Sequence, residues 1–395
     1  MDGYLQDWLS LLLRWSHVIT GIAWIGASFY FNWLENHLQR QQREEGIAGD
    51  LWAVHGGGFY HLKKYAVAPP ALPPTLHWFK WEAYATWLTG FALLVVTYYW
   101  DARAFMLDPA RADIGPALAI SIGLASMALS WLWYDVLCRS PLGQRNLLSA
   151  ALIGGWFLLL AWLLTRFLGG RAAYIHVGAA IGTVIVANVF RVIIPAQKEL
   201  VAALQAQRPP DPRPGAEALQ RSRHNNYFTL PVLFIMISSH YPGTYGHPQA
   251  WLVLALLSAA GVAIRHYFNI RHLPGNRLWP LATGLLILAV LFFAGRPERA
   301  PGMAPGTERI GIGAAFAIVQ RRCASCHAAE PANEAFTGAP LGIELDTISK
   351  LRRHAERAYQ ATVVTRTMPL GNLTGMTEAE RHEFARWFEQ GEQGD

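Results

Sequence analysis

The residues with the clearest chemistry lie near the C-terminus, in the run Cys323-Ala324-Ser325-Cys326-His327. Two cysteines three positions apart, followed at once by histidine, are the attachment motif of a c-type haem. Each thiol adds to one of two vinyl groups on neighbouring pyrroles, and the imidazole then binds the iron from beneath the ring. The motif predicts a covalent haem on Cys323 and Cys326, with His327 as the first axial ligand.

The second axial ligand of the iron is expected downstream of the motif. Met368, which precedes Pro369, is the first candidate, because it follows His327 by 41 residues and leaves room for a helix and a loop around the haem. Met376 is the alternative, although it lies in a stretch with the pattern of a helix N-cap. Histidine and methionine together favour a raised reduction potential, which suits an electron acceptor.

The same cysteines would also fit half of a zinc site or a redox-active C-x-x-C pair. Zinc needs a second pair of ligands, and the only other cysteine in the chain is Cys138. No disulfide framework is expected. Because haem is attached to such motifs outside the cytoplasmic membrane, the C-terminal part is predicted to be periplasmic.

The composition of the 395 residues indicates a membrane protein. Only 15% of the residues are charged and 52% are hydrophobic, whereas soluble chains have about 25% charged residues. No basic segment precedes the first apolar stretch, which is therefore expected to stay as an anchor. Stretches of roughly 20 apolar residues predict an all-α bundle of eight membrane-spanning helices. These stretches are residues 9–34, 80–100, 115–137, 147–168, 173–195, 227–241, 249–270 and 278–295.

The Lys and Arg residues set the predicted orientation of this bundle. The connections after the odd-numbered spans, with the span ends beside them, hold 16 of these residues, against four in the other three connections. The positive-inside rule places the first set in the cytoplasm and both chain termini in the periplasm, in agreement with the haem motif. Because the basic residues concentrate beside the membrane, the net charge of +6 does not indicate a nucleic-acid partner.

The chain is predicted to have three parts. Residues 1–296 form the membrane domain, residues 297–308 are a tether rich in Pro and Gly, and residues 309–395 form a small cytochrome c domain of class I type. A covalent haem supplies much of what so small a core buries. Helices are expected in this last part over residues 308–320, 346–359 and 377–390.

Histidines inside the spans are further candidates, because ionisable groups are costly in lipid and usually serve a function. His17 and His176 are predicted near the periplasmic side, where a facing pair could hold a b-type haem or another metal. A satisfied core histidine is the alternative for His17. His240 and His247 lie at the same level, where helix capping or the interfacial belt is the simpler interpretation.

Another polar group is predicted on the cytoplasmic side. His55 precedes Gly56, Gly57 and Gly58, whose backbone N–H groups could approach an anion or could form a flexible turn. The run from Arg223 to Tyr227, with sequence RHNNY, precedes the sixth span. Arginine pairs with charge, asparagine reads amide edges and aromatic faces stack, so the run suits a planar anionic heterocycle. The alternative is that its arginine only fixes the topology.

The chain resembles a known family, the integral-membrane urate oxidases (urate hydroxylases) with a C-terminal cytochrome c domain. The resemblance covers the whole length and rests on SHVITGIAWIGASFYF at residues 16–31, HGGGFY at 55–60, HWFKWEAY at 77–84, residues 223–242 and the haem motif. It implies oxidation of urate to 5-hydroxyisourate with water as the oxygen source and without hydrogen peroxide as the coupled product. Electrons would pass to the fused cytochrome and on to another cytochrome c or a terminal oxidase, at the inner membrane of a bacterium.

With urate as substrate, the candidate binding residues are Arg223, Asn225 and Asn226. The candidate catalytic residues are His55, His224 and Glu82, and His17 is a further candidate for a base that deprotonates urate or water.

Urate gives up two electrons and one haem accepts one. The haem must therefore be reoxidised twice per turnover, or a second carrier must lie in the membrane with His17 and His176 as ligands.

Two other classes of protein remain as alternatives. A respiratory subunit would oxidise quinol and reduce the fused cytochrome, and it would not act on urate. A transporter with a docked cytochrome would show internal repeats among its spans, and no such repeats are visible.

Overall fold

The chain is mostly helical. The computed structural model describes residues 2–41, 45–295, 309–333 and 336–391. The helices that precede the C-terminal unit are α1 (Asp2–His37), α2 (Trp81–Leu94), α3 (Ala102–Phe105), α4 (Pro116–Arg139), α5 (Asn146–Phe167), α6 (Gly170–Asn188), α7 (Ile194–Gln205), α8 (Pro212–Ser238), α9 (Pro242–Tyr245), α10 (Ala250–Ile270) and α11 (Trp279–Ala294). Wider π-helical turns continue α2 over Val95–Tyr99 and α6 over Val189–Ile193.

Each of the eight predicted apolar stretches is helical. Five helical segments are long and apolar enough to cross a membrane: Tyr4–His37, Pro116–Arg139, Asn146–Phe167, Gly170–Gln205 and Ala250–Ile270. Trp279–Ala294 is a shorter apolar helix. The expectation for the sixth stretch needs correction, because α8 begins at Pro212 and not at residue 227. The polar run from Arg223 therefore lies on a helix and not in a connection.

Helix α6 lies at the centre of the bundle and packs through small residues. Ala172, Ala173 and Ala180 are fully buried there. A Cβ atom added to Gly178 would lie only 2.5 Å from Cγ2 of Ile235 on α8. The missing side chain thus permits the close approach of the two helices, as is common where helices pack in membranes.

The connection after α1 is a β-hairpin and not an irregular loop. Strands β1 (Ile47–His55) and β2 (Gly58–Tyr65) pair antiparallel, with His55 opposite Gly58. The two turn residues have positive φ, +57° at Gly56 and +81° at Gly57, which only glycine adopts freely and which a tight hairpin turn requires. The turn thus accounts for these two glycines, and the structure favours it over the anion-binding alternative.

The C-terminal unit contains the three helices expected there, α12 (Ile312–Arg322), α13 (Ile348–Tyr359) and α14 (Glu378–Glu389). Their buried faces meet in one apolar core that includes Ile318 and Phe384. The predicted tether, residues 297–308, lies outside the described residues, as do residues 392–395 of the predicted cytochrome domain.

The packing of α6 against α8 leads to a test with an internal control. Gly178→Val should destabilise the protein by about 1–3 kcal/mol, because the new side chain overlaps Ile235. Gly182→Val, one turn further along α6, has open space at its Cβ and should leave the melting temperature close to that of the wild type. Thermal unfolding in detergent compares the two variants, and equal losses would contradict the packing described here.

Candidate functional site

The polar run on α8 is divided by its helical period into a buried and an exposed face. Arg221, Asn225 and Asn226 are 3, 7 and 1% exposed, whereas Arg223 is exposed to solvent. Positions three to four apart share one helix face, so Arg221 and Asn225 point into the bundle while Arg223 points away. Of the three predicted substrate-binding residues, the structure therefore places only the two asparagines in the interior.

A chain of hydrogen bonds links α4, α6 and α8. The Tyr134 hydroxyl lies 2.8 Å from Nδ1 of His224 and accepts a 3.1 Å hydrogen bond from Nδ2 of Asn188. The same Asn188 amide donates to Oδ1 of Asn225 at 2.7 Å, and Asn225 donates to the carbonyl of Ile185. His224 is thus oriented through Nδ1, with Cys138 Sγ 3.8 Å from the same nitrogen.

A buried cation accompanies this chain. The Arg221 guanidinium donates to Oδ1 of Asp135 at 2.8 Å and lies 4.9 Å from the centre of the Tyr134 ring. A buried guanidinium is tolerated only when it is paired, and the carboxylate and the aromatic face supply that pairing here. Its Nη1 has no hydrogen-bond partner among the described residues.

A second cluster joins α8 to α10 beside α1. Oδ1 of Asn226 accepts from Nε of Arg265 at 3.0 Å and from Nδ2 of Asn269 at 2.8 Å. The Arg265 guanidinium lies 4.2 Å from the centre of the Phe29 ring. Two buried amide atoms, the donor Nδ2 of Asn226 and the acceptor Oδ1 of Asn269, have no partner in the described part of the chain. The cluster thus offers a donor, an acceptor, a cation and an aromatic face to a ligand.

Of the other predicted catalytic residues, Glu82 is enclosed and His55 is not. One carboxylate oxygen of Glu82, in the first turn of α2, is buried without a partner among the described residues. Phe79, which precedes Glu82, contacts Phe31 on α1, and Thr86, which follows it, lies beside Gly21 on α1. Glu82 therefore lies near the level of Phe29 along α1. His55 is exposed at the hairpin turn, and the structure does not bring it to His224.

The two histidines predicted to lie inside the spans, His17 and His176, have separate partners. Nδ1 of His17 lies 3.1 Å from the carbonyl of Thr86 and 3.2 Å from Oγ1 of Thr89. Fully buried His176 uses both ring nitrogens, with Nδ1 2.8 Å from the Ala172 carbonyl and Nε2 3.1 Å from the Tyr99 hydroxyl. His17 thus contacts Thr89 of α2, and His176 contacts Tyr99 of the π-turn that continues it. These two contact residues are ten positions apart. The structure does not bring the two imidazoles together, and a shared haem or metal stays a prediction.

The remaining two histidines of the predicted periplasmic level have no such environment. His240 is exposed after the end of α8. Nδ1 of His247 accepts a 3.0 Å hydrogen bond from the backbone N–H of Gln249, directly before α10. The capping interpretation fits His247.

In the C-terminal unit, α12 ends where the C-x-x-C-H motif begins. Nδ1 of His327 lies 2.8 Å from the carbonyl of Ile343, which fixes the ring and leaves Nε2 for a metal. Burial raises the pKa of the Cys323 thiol to about 12, and the neighbouring Cys326 adds to the shift. A redox-active C-x-x-C pair has a lowered thiol pKa instead, so this environment does not favour that alternative.

The environments of the two candidate methionines differ. Met376 is 4% exposed and belongs to the apolar core of the unit. Met368 is only partly buried, and its backbone is held by Ala361, which accepts from its N–H, and by Arg381, which donates to its carbonyl at 2.8 Å. The residues present therefore fit a haem held by Cys323, Cys326 and His327, with Met368 available as the second axial ligand.

The zinc alternative finds no support in the structure. Within residues 2–41, 45–295, 309–333 and 336–391, no three His, Cys, Asp or Glu side chains form a group that could hold a metal ion. A structural zinc site needs four such ligands.

The comparisons with known proteins concern the helical part that precedes the C-terminal unit. Residues 3–295 match the family model described as urate oxidase N-terminal. The chain belongs to this family. No curated protein and no solved structure matches the chain. The predicted relation to urate oxidases is confirmed for these residues, and membership of the family indicates an oxidoreductase of urate.

Both polar clusters lie within the matched part of this urate oxidase family member. The sequence analysis missed three members of these clusters. Tyr134 on α4 contacts His224 in the first cluster, and Arg265 and Asn269 on α10 contact Asn226 in the second. A signal was present for α10, because Arg265 and Asn269 are four residues apart and therefore share one helix face. No comparable signal marked Tyr134, whose role depends on contact with a helix 90 residues away.

An ion pair fixes the segment that delivers Cys323. Arg322 donates to both carboxylate oxygens of Glu380 at 3.0 Å and also to the carbonyl of Thr374. Glu380 is the third residue of α14 and completes a capping box with Thr377. Burial alone would raise the pKa of Glu380, but hydrogen bonds from Thr377 and Arg322 outweigh it and hold the pKa below its ordinary value.

The lowered pKa predicts how the C-terminal unit responds to acid. The contribution of the Glu380 carboxylate to stability is complete above the ordinary carboxyl pKa and is lost as the pH falls through the lowered one. Glu380→Gln should therefore lower the melting temperature at pH 7, and the difference from the wild type should shrink in acid. Thermal unfolding at several pH values measures this, and a difference that is independent of pH would contradict the role given to the carboxylate.

Proposed function

We propose that this urate oxidase family member oxidises urate to 5-hydroxyisourate within the membrane and passes the electrons to a c-type haem on its own C-terminal unit. The carrying observation is that one chain combines the family-matched helical part with a C-x-x-C-H motif whose histidine is held as an axial ligand requires. Urate and water give 5-hydroxyisourate, two protons and two electrons.

The haem, when bound, supplies a one-electron acceptor. Cys323 and Cys326 would hold it covalently, and His327 and Met368 would bind its iron. Because urate releases two electrons, the acceptor has to be emptied between them by a further one-electron oxidant, another cytochrome c or a terminal oxidase. Five helical segments of sufficient length and apolarity support a place in the inner membrane of a bacterium.

The cluster around Asn226 is the proposed urate site. Urate is planar and anionic, and its edges alternate N–H donors and carbonyl acceptors. The Asn226 Nδ2 donor and the Asn269 Oδ1 acceptor match such an edge, and the Arg265 guanidinium matches the charge. Leaving buried amide groups without partners costs free energy, and a ligand of this chemistry would recover it.

The base that deprotonates urate or the attacking water is assigned to Glu82. Its carboxylate has a buried oxygen without a described partner and lies near the level of Phe29, whose ring faces Arg265. A base must lie within hydrogen-bond reach of the proton it removes, and this level along α1 is shared with the proposed urate site. His224 is the second candidate, since Tyr134 occupies only one of its ring nitrogens.

An anaerobic reduction experiment tests the proposal. Purified full-length protein, oxidised in detergent and freed of oxygen, receives urate while the absorption bands of the c-type haem are recorded. We expect reduction at a rate that matches the loss of urate, because two electrons leave each molecule. Prompt reduction by a quinol together with none by urate would overturn the proposal and favour the respiratory subunit.

A buried arginine, Arg265, and an exposed one, Arg223, provide a matched pair of variants. Arg265→Gln should lower kcat/KM for urate by about 10- to 100-fold, since a charged hydrogen bond contributes about 1.5–3 kcal/mol. Arg223→Gln makes the same chemical change at an exposed position and should stay within about twofold of the wild type, as surface changes usually do. Loss of activity in the Arg223 variant alone would restore Arg223 as a urate-binding residue and remove Arg265 from the proposed site.

A further inference from the structure

The C-terminal unit touches the family-matched part through a glycine that has no room for a side chain. A Cβ atom added to Gly371 would lie 3.0, 3.1 and 3.3 Å from the carbonyl oxygens of Ala104, Arg103 and Leu107. These carbonyls belong to α3 and the residues just after it. Backbone therefore lies directly on backbone at this contact, which only glycine permits.

Two further contacts join the same parts. A Cβ atom added to Gly246, which follows α9, would lie 2.7 Å from the carbonyl oxygen of Thr365. The hydroxyl of Thr337 donates a 2.7 Å hydrogen bond to Oδ2 of Asp7 in α1. The C-terminal unit thus contacts three separate segments of the bundle.

All three segments lie at one end of the bundle. Asp7 is near the start of α1, α3 follows the C-terminal end of α2 and its π-turn, and Gly246 lies between α8 and α10. The hairpin follows the opposite end of α1, which is 36 residues long and extends for about 54 Å. The end that the C-terminal unit contacts is the end that the distribution of Lys and Arg predicts to be periplasmic.

We propose that residues 365–372 are the docking surface through which the cytochrome unit receives its electrons, so that the unit works docked on α3 and not as a freely swinging carrier. This inference rests on the proposed function. The segment includes Met368, the proposed axial ligand, between the two contact residues Thr365 and Gly371. Met368, which would bind the haem iron, thus belongs to the segment of the unit that contacts the bundle.

The docking surface is attached to the buried interior. The α3 N-cap, Asp101, accepts a 3.1 Å hydrogen bond from the N–H of Ala104, which stabilises this short helix. Phe105 packs edge-on against Tyr98 with ring centroids 6.5 Å apart, and Tyr98 packs against His176 at 6.1 Å. The surface that Gly371 meets is therefore continuous with packed aromatic residues of the bundle.

The electron balance is that of the proposed reaction. Each of the two electrons that leave urate would convert one ferric haem iron to ferrous iron. The second transfer requires a one-electron oxidant, a further cytochrome c or a terminal oxidase, to remove the first electron. Since Thr365 and Gly371 contact the bundle on this side, that oxidant has to approach another face of the unit.

Two glycines of the C-terminal unit provide a test in the haem-loaded full chain. Gly371 and Gly342 both have positive φ, +56° and +66°, so Ala at either position meets the same backbone strain. Only at position 371 does the added Cβ also press on the bundle, because nothing lies within 4 Å of Gly342. Gly371→Ala should undock the unit, and Gly342→Ala should not.

The first readout is hydrogen exchange, which does not depend on activity. In Gly371→Ala we expect faster exchange in residues 102–107 and 365–372. We also expect urate to reduce the haem at a rate that is lower by about tenfold or more, because the C-terminal unit is misplaced relative to the bundle. Reduction by ascorbate should be unchanged. Exchange identical to that of Gly342→Ala would overturn the docking, and undocking with a full urate-driven rate would overturn its role in electron transfer.

A second pair leaves the C-terminal unit itself unchanged. Gly246→Ala should give the same faster exchange and slower reduction, because its Cβ would press on Thr365 from the bundle side. Gly243→Ala, three residues earlier in α9 and with open space around its Cβ, is the control. If urate fails to reduce the wild-type haem, the proposed function fails, whereas the exchange comparison still reports on the docking.

Discussion

Polar groups inside an apolar helix bundle must find their partners within the protein, and this constraint determines how the buried polar residues of the bundle are arranged. Arg221 is matched by Asp135 and by the Tyr134 ring, and Asn188 satisfies both Tyr134 and Asn225. Each cluster nevertheless leaves two buried polar atoms without described partners, Arg221 Nη1 and Asn188 Oδ1 in the first and Asn226 Nδ2 and Asn269 Oδ1 in the second. Unsatisfied groups are costly in such surroundings, so they mark the place where a ligand has most to contribute.

Close approach through glycine is the second device, and it serves two purposes. At Gly178 it brings two helices of one bundle together, and at Gly371 it brings the C-terminal unit onto the bundle. In both places the partner is immobile, a packed side chain in one and backbone carbonyls in the other. The contact at Gly371 defines position more strictly than a contact with a flexible side chain would, since backbone carbonyls cannot move aside in the same way.

Much of the fold followed from sequence patterns that depend on local physics. Apolar length identified the helices, and the helical period of the C-terminal segment identified α12 to α14. The hairpin was missed, because the strands carry His55 and Lys63 on exposed positions and their apolar residues face no large core. The start of α8 was missed as well, since its polar first turns lack the apolar signal used to locate spans.

The site was predictable in residue types and less so in geometry. The run from Arg223 to Tyr227 was identified correctly as a polar concentration, yet the helix turned Arg223 outward and Arg221 inward. That division required knowing that the run is helical. Arg265 and Asn269 joined it only through packing of α10 on α8, a contact that no local pattern encodes.

The two proposed sites lie far apart, and their separation limits the mechanism. Glu82 lies in the first turn of α2, and Asp101 follows the π-turn that continues this helix. About 28 Å of helix therefore lies between the level of the urate site and the docking surface. Oxidation at the inner cluster therefore requires an electron carrier between them. Trp87 and Phe91 stack at 5.3 Å on the intervening helix, and His17 and His176 lie beside it. If urate is oxidised at one end of the bundle and a one-electron acceptor docks at the other, the residues between them have to carry electrons as well as support the fold.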